Sequence, residues 1–280
     1  MLNKERFLEL IHDFIVFDKG IKKLCRHNQY FGVKSAQEFI DRNKGGIIWH
    51  TQGSGKSLTM VWLAKWIHEQ FHDGRVLLIT DREELDDQIQ KVFSGVDEEI
   101  YRTKSGRDLL EKLNATAPWL ICSLVHKFKG KEEDDVEDYL NDIKGNLPTD
   151  FRAKGKVFVF VDECHRTQSG KLHKAMKEIL PEDSIFIGFT GTPLLKSDKI
   201  SSSFEVFGDY IHTYKFDEGV EDGVILDLRY EARDVEQTLG SEEKIDDWFD
   251  ATTKGMTDTA KATLKQRWGT LKKLFSSKNR

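Results

Sequence analysis

No apolar run in this 280-residue chain approaches the roughly 20 residues that a membrane helix needs. The opening MLNKERFLEL also lacks the hydrophobic stretch of a secretion signal. A membrane role is therefore not expected, and a cytoplasmic location is. Cysteine is scarce: Cys25, Cys122 and Cys164 share no metal-ligand spacing. Cys122 and Cys164 lie beside apolar runs, so buried, reduced thiols are expected. Repeats and low-complexity segments are absent as well. A basic surplus is also missing, since the formal net charge is −5. The segment KEEDDVEDYLND (131–142) alone carries seven acids and one lysine, which leaves the remainder near +1. Such a run reads as a solvated loop or helix face, and overall charge neither favours nor excludes DNA. With 38% hydrophobic and 32% charged residues the balance is that of a soluble chain with a sizeable core.

One glycine is missing from an otherwise informative stretch. GGIIWHTQGSGKS (45–57) places a short apolar run before a small-residue loop, and a helical pattern from Leu58 to Phe71 follows. Strand, loop and helix in that order suit a phosphate-binding loop. Small residues let backbone N–H groups turn inward, and a helix N-terminus adds partial positive charge. Thr51, Gln52, Gly53, Ser54 and Gly55 would form the cradle, Lys56 would reach the β/γ-phosphates, and the Ser57 hydroxyl would meet Mg²⁺. The pattern G-x-x-x-x-G-K-[ST] fails at its first position, where His50 stands. The plain alternative is a Gly/Ser turn with a solvated Lys56.

Around this stretch, apolar strands alternate with helical patterns. Phe7, Leu10, Ile11, Phe14 and Ile15 predict an amphipathic helix over 4–18, and a second helix is predicted over 28–43. Strands are predicted at 75–80, 98–102, 118–124, 156–163 and 184–190, with helices at 83–93, 106–114 and 172–180. This alternation argues for a mostly parallel sheet covered on both faces. From about 224 the pattern changes to one further strand (224–235) and then helix (243–278). In that helix Leu264, Trp268, Leu271 and Phe275 form an apolar stripe, and seven Lys/Arg with no acid follow from Lys261 onward. A packed helix with a solvated basic face is the plain reading, and a face toward DNA or another domain is the sharper one.

The run VFVFVDECH (157–165) delivers Asp162 and Glu163 at the carboxyl end of a strand, where open α/β sheets bind ligands. An acid there can hold Mg²⁺, and its neighbour can orient and deprotonate a water. His165 follows directly. GFTGTP (188–193) also comes straight after an apolar strand; in isolation it reads as a turn ending at Pro193. Lys56 and the Asp162/Glu163 pair are expected to end neighbouring strands of one sheet and to face a common triphosphate.

Together these stretches resemble the first motor domain of a superfamily 2 helicase or translocase. More narrowly, HTQGSGKSLTM, TDREELDDQ, SLVHKF, VDECHRTQSG, GFTGTP and FGDYIHTY are similar, in order and spacing, to the motor subunit of type I restriction enzymes. His50 is what this resemblance implies, while Cys164 stands where such motors usually carry alanine. The resemblance implies an α/β fold: a RecA-like P-loop NTPase three-layer sandwich with flanking helical segments. It divides the chain into an N-terminal helical connector (1–44), a motor domain (45–235) and a helical linker (236–280).

The resemblance also implies ATP and Mg²⁺ as cofactors, with Lys56, Asp162, Glu163 and His165 as catalytic residues and Ser57 and Asp162 as Mg²⁺ ligands. Gln29 would read adenine, although by itself it reads as a solvated helix-surface residue. Arg82, Ser123, Lys127, Thr190 and Thr192 would couple the nucleotide to DNA. The implied partners are double-stranded DNA, the modification and specificity subunits, and a second motor domain and a nuclease domain of the parent chain. The chain is thus expected to be a fragment that binds ATP but turns it over slowly. Two other readings stand beside this one: a P-loop phosphotransferase, and a non-catalytic domain whose surface responds to nucleotide.

Overall fold

The computed structural model describes residues 3–18, 20–80, 91–95, 98–124, 141–149, 151–164, 173, 176–192, 207–228, 247, 250–257 and 260–264. Arg82, Lys127, His165, nearly all of the acidic segment 131–142 and the stripe residues Trp268, Leu271 and Phe275 lie outside them. The chain divides into two compact units, Met1–Leu226 and Asp227–Arg280. Among the described residues, no helix is long and apolar enough to cross a membrane.

The first unit opens with α1 (Lys4–Asp13), whose N-terminus is capped by Asn3 accepting from Glu5 N at 2.9 Å. The helix predicted over 4–18 ends early. Ile15, Val16 and Phe17 are β-branched or aromatic and form β1 (Ile15–Asp18), which pairs antiparallel with β2 (Ile21–Leu24). Gly20, at φ +78°, provides the turn between them. Phe14 then packs on Tyr30 at 5.0 Å between ring centroids, which anchors this hairpin to α2 (His27–Asp41).

A seven-stranded sheet follows. Its strands are β3 (Gly46–His50), β4 (Gly74–Thr80), β5 (Tyr101–Arg102), β6 (Leu120–Leu124), β7 (Lys156–Val161), β8 (Ile185–Thr190) and β9 (Tyr210–Tyr214). The spatial order is β5-β6-β4-β7-β8-β3-β9, and every neighbouring pair is parallel. The connecting helices include α3 (Lys56–Gln70) and α4 (Gly106–Asn114), and α5 (Phe216–Glu221) follows the last strand.

Side chains alternate across the sheet as the two-residue strand period requires. Phe158 and Phe160 of β7 join Ile48, Trp62, Leu63 and Ile67 in one buried layer. Val157, Val159 and Val161 join Leu77, Ile79, Leu109 and Leu113 in the other. This is the three-layer α/β arrangement expected from the sequence.

Besides the β1–β2 hairpin, two further elements were not anticipated. FGDYIHTY supplies the edge strand β9, which extends the sheet beside β3. Residues 216–225 then form α5 and its terminator. Val224 N bonds to Gly219 O and Gly223 N to Val220 O, with Gly223 at φ +66°. That left-handed cap accounts for why 224–228 do not begin the predicted strand; Leu226 and Leu228 are exposed instead.

At the opposite end of the sheet, Arg75 of β4 is buried with its guanidinium surrounded by carbonyl oxygens. It donates to Lys112 O, Leu113 O and Ala115 O at 2.7–2.9 Å, and also to Pro118 O and Lys154 O. The first three are at the carboxyl end of α4, where unpaired carbonyls and the helix dipole favour a cation.

Candidate active site

β3 runs into the loop Thr51–Gly55, which leads straight into α3. Thr51 N donates to Tyr214 O at 2.9 Å, tying the loop to β9. Ser54 folds back on Thr51, with both its N–H (3.2 Å) and its hydroxyl (2.5 Å) donating to Thr51 O. Gly53 and Gly55 have φ of +79° and +88°, values open to glycine and strained for other residues. Lys56 and Ser57 are the first two residues of α3, so the free N–H groups of a helix start adjoin the loop.

His50 is the last residue of β3 and is fully buried. Its Nε2 lies 2.9 Å from His212 Nδ1 on β9, and its ring packs against Gly32 of α2, where any Cβ would come within 2.8 Å of it. Burial, with smaller contributions from His212 and Lys56, pushes the His50 pKa down to about 3. The histidine that breaks the glycine pattern thus fills a slot between α2 and β9, outside the loop's bend.

The acids follow β7. Asp162 N continues the ladder by donating to Ile79 O at 3.0 Å, and Glu163 N donates to Asp162 Oδ1 at 3.0 Å. Glu163 adopts φ +48°, a left-handed conformation rare outside glycine and often found at functional sites. Cys164 N then bonds to Phe189 O on β8. The Cys164 thiol is buried, and burial pushes its pKa far upward. It packs against Gly188, where a Cβ would come within 2.6 Å of Sγ.

The expectation that Lys56 and these acids end neighbouring strands is corrected by the strand order: β8 lies between β3 and β7. All three strands are parallel and so present their carboxyl ends on one edge. Two spacings of about 4.8 Å separate the outer pair, or roughly 10 Å. The gap is bridged at Gly191, just past β8. A Cβ there would come within 2.9 Å of Lys56 Nζ and 2.8 Å of Gln52 Cγ. The segment GFTGTP therefore touches the loop directly, and its glycine makes room for the lysine. The Thr190 hydroxyl accepts from Thr192 N at 3.1 Å, so the two threonines form one compact turn.

Gln29 is buried and not solvated. It sits at the third position of α2, where its Oε1 accepts from Arg26 N at 2.8 Å. Its Nε2 donates to Gly55 O at 3.0 Å and Ser54 O at 3.4 Å. Ser123 is also buried, and its hydroxyl accepts from Thr103 Oγ1 at 3.0 Å on the far side of β4. The structure thus gathers Gln29, the loop, Lys56, Asp162, Glu163 and Thr190 along one edge. Ser123, near the carboxyl end of β6, lies on the same edge, two strands beyond β7 on the side away from β3. Sequence reasoning missed Asn28 and the His212/Tyr214 wall of β9, whereas Gly191 reads from the sequence as a point of close backbone approach.

These residues suit a magnesium-bound nucleoside triphosphate. The glycine loop and helix start offer N–H groups, Gly191 keeps space beside the Lys56 amine, and a hydroxyl and a carboxylate stand nearby. Among the described residues no group of three or more His, Cys, Asp or Glu could cage a metal. A Ser57/Asp162 donor pair matches Mg²⁺, which keeps waters and phosphate oxygens in its shell.

Parallel sheet, glycine loop and strand-end acids define a P-loop NTPase fold. The SWI2/SNF2 ATPase family model matches residues 28–262, and the chain belongs to that family. It is 33% identical to the MjaIXP endonuclease subunit of a type I restriction enzyme from Methanocaldococcus jannaschii, over 98% of this chain and 26% of that protein. It is 32% identical to the HindI endonuclease subunit of a type I restriction enzyme from Haemophilus influenzae, over 82% and 24% respectively. The chain thus spans about a quarter of the length of these relatives. The fold is similar to the Sulfolobus solfataricus SWI2/SNF2 ATPase core, solved in complex with dsDNA. There the TM-score is 0.51 at 17% identity, covering 92% of this chain and 44% of that one.

Proposed function

We propose that this chain is the first motor domain of a type I restriction endonuclease subunit, and that it uses ATP to drive translocation of double-stranded DNA. One observation carries the reading: Lys56, Gly191 and the Asp162/Glu163 pair share a single sheet edge, and Gly191 is shaped around the lysine amine.

In this proposal the loop Thr51–Gly55 and Lys56 hold the phosphates, and Ser57 and Asp162 hold Mg²⁺. Held there, Mg²⁺ would supply the positive charge that offsets the negative charge building on the phosphates during transfer. Glu163, fixed in its left-handed conformation next to Asp162, orients the attacking water and takes its proton. Thr190 and Thr192 adjoin Gly191 and so can register a change at Lys56, relaying it to a DNA-facing surface. His165, Arg82 and Lys127 keep the roles that the resemblance implies. The proposed divisions are 1–44 as connector, 45–235 as motor and 236–280 as linker, in a cytoplasmic complex. The second motor domain, the nuclease, and the modification and specificity subunits are proposed as partners, in keeping with the much greater length of the relatives.

The test is nucleotide binding and turnover, with and without duplex DNA. Lys56→Ala should abolish ATP·Mg²⁺ binding. Glu163→Gln should bind normally and lose at least 100-fold in turnover, the lower range for a positioned base. Undiminished turnover in Glu163→Gln, or stimulation by a small phosphate acceptor and not by DNA, would overturn the reading.

A further inference from the structure

Two amide side chains at the start of α2 reach beneath the phosphate loop. Asn28 Nδ2 approaches Ser54 O at 3.5 Å, and Gln29 Nε2 reaches both Ser54 O at 3.4 Å and Gly55 O at 3.0 Å. Both residues are buried. A trans peptide is planar, and its C=O and N–H point in opposite directions. Turning the Ser54 carbonyl toward α2 therefore turns the Gly55 N–H away from it. Turning the Gly55 carbonyl the same way sends the Lys56 N–H outward with it. Those N–H groups sit at the start of α3, where an anion is favoured.

The contact also depends on glycine. Gly55 lies so close to the Gln29 amide that a Cβ would collide with Nε2. Meanwhile Gln29 Oε1 is occupied by Arg26 N, so both ends of this amide have partners within the chain. Asn28 adds a second sign that this corner is built for a purpose other than stability. Its Oδ1 is buried without a hydrogen-bond partner, an arrangement that costs stability where it stands.

We propose that Asn28 and Gln29 are positioning residues that brace the phosphate loop, and that Gln29 serves the polyphosphate more than the base. This rests on the nucleotide-site reading given above. The resemblance assigns Gln29 to adenine, but a two-point grip on a base would require Nε2 to release a loop carbonyl, because both of its N–H groups already donate to the loop. A loop held in its binding form loses less freedom when phosphate arrives, so the brace acts on affinity for any triphosphate.

The two roles separate in one comparison: Mg²⁺-dependent binding of ATP, GTP and inorganic tripolyphosphate by the full 280-residue chain. Gln29→Met is neutral and close in size, and it removes the donor. The brace predicts a similar loss for all three ligands, about tenfold, or ~1.4 kcal/mol. Gln29→Glu keeps the Arg26 cap and should weaken all three as well. Loss confined to ATP, or no loss, would overturn the proposal. So would loss in Gln29→Glu alone, which would reflect added charge. If Gln29→Met does not fold, Asn28→Ala leaves the cap intact and should cost a few-fold equally across the three ligands; an ATP-selective loss or none would again overturn it. Wild-type and Lys56→Ala chains that bind tripolyphosphate equally well would instead refute the nucleotide site itself.

Discussion

Acidification should destabilise this protein through His50, and the size of the effect follows from where that residue sits. The ring lies between α2 and β9, with His212, Lys56 and Tyr214 around it. Burial holds its folded-state pKa near 3, against 6.5 for an unburied imidazole. The unfolded chain therefore takes up a proton as pH falls through 6.5, while the folded chain stays neutral until about pH 3. Stability contributed by neutral His50 is complete above pH 6.5 and declines as pH falls toward 3. Between pH 7.5 and 5.5 the loss is about 1.4 kcal/mol from this residue, since one pH unit of unmatched proton uptake is worth ~1.36 kcal/mol. Burial shifts His212 and His173 in the same direction. Urea unfolding midpoints from pH 7.5 to 5.5 measure the slope. His50→Asn should flatten it by the His50 share, and the imidazole resonances of the wild-type ring should show no titration above pH 5. Equal slopes in the two proteins, or a His50 resonance titrating near 6.5, would refute this reasoning.

Two substitutions probe other parts of the account. Arg75→Met leaves carbonyls of Lys112, Leu113, Ala115, Pro118 and Lys154 without their shared donor. The expected cost is about 3–5 kcal/mol, typical of breaking a buried charged network. It should appear in thermal melting as a fall of roughly 10 °C, and a change under 2 °C would contradict it. Gly191→Ala places a methyl against Lys56 Nζ and Gln52. ATP affinity should fall about tenfold, ~1.4 kcal/mol, while the melting temperature stays close to wild type. Unchanged affinity by calorimetry would show that the lysine has room to spare.

Much of this was legible because the central strands advertise themselves. VFVFV and IFIGFT are apolar on both sides because both faces of a covered parallel sheet are buried. The phosphate loop was legible for a different reason: glycine, lysine and serine follow an apolar run and precede a helical pattern. β9 was missed because YIHTY mixes polar and apolar residues, as an edge strand can. The 4–18 helix was overextended because Phe14 and Ile15 fit a helical stripe as well as a hairpin; the turn at Gly20 decides between them. Strand order was out of reach, since nothing local to β3, β7 or β8 says which lies in the middle. Gln29 illustrates the same limit. Its place before the first sheet strand was visible, yet the direction of its amide depends on where Ser54 and Gly55 fold back toward α2.

The central claim is that one nucleotide is held jointly from β3 and from β7 across the end of β8. A crystal structure of this chain with Mg²⁺ and a non-hydrolysable ATP analogue tests it directly. The account predicts the Lys56 amine on the β/γ-phosphates, with Ser57 and Asp162 flanking the same metal ion. Phosphates bound at the loop with Asp162 remote from the metal, or nucleotide bound elsewhere, would contradict it.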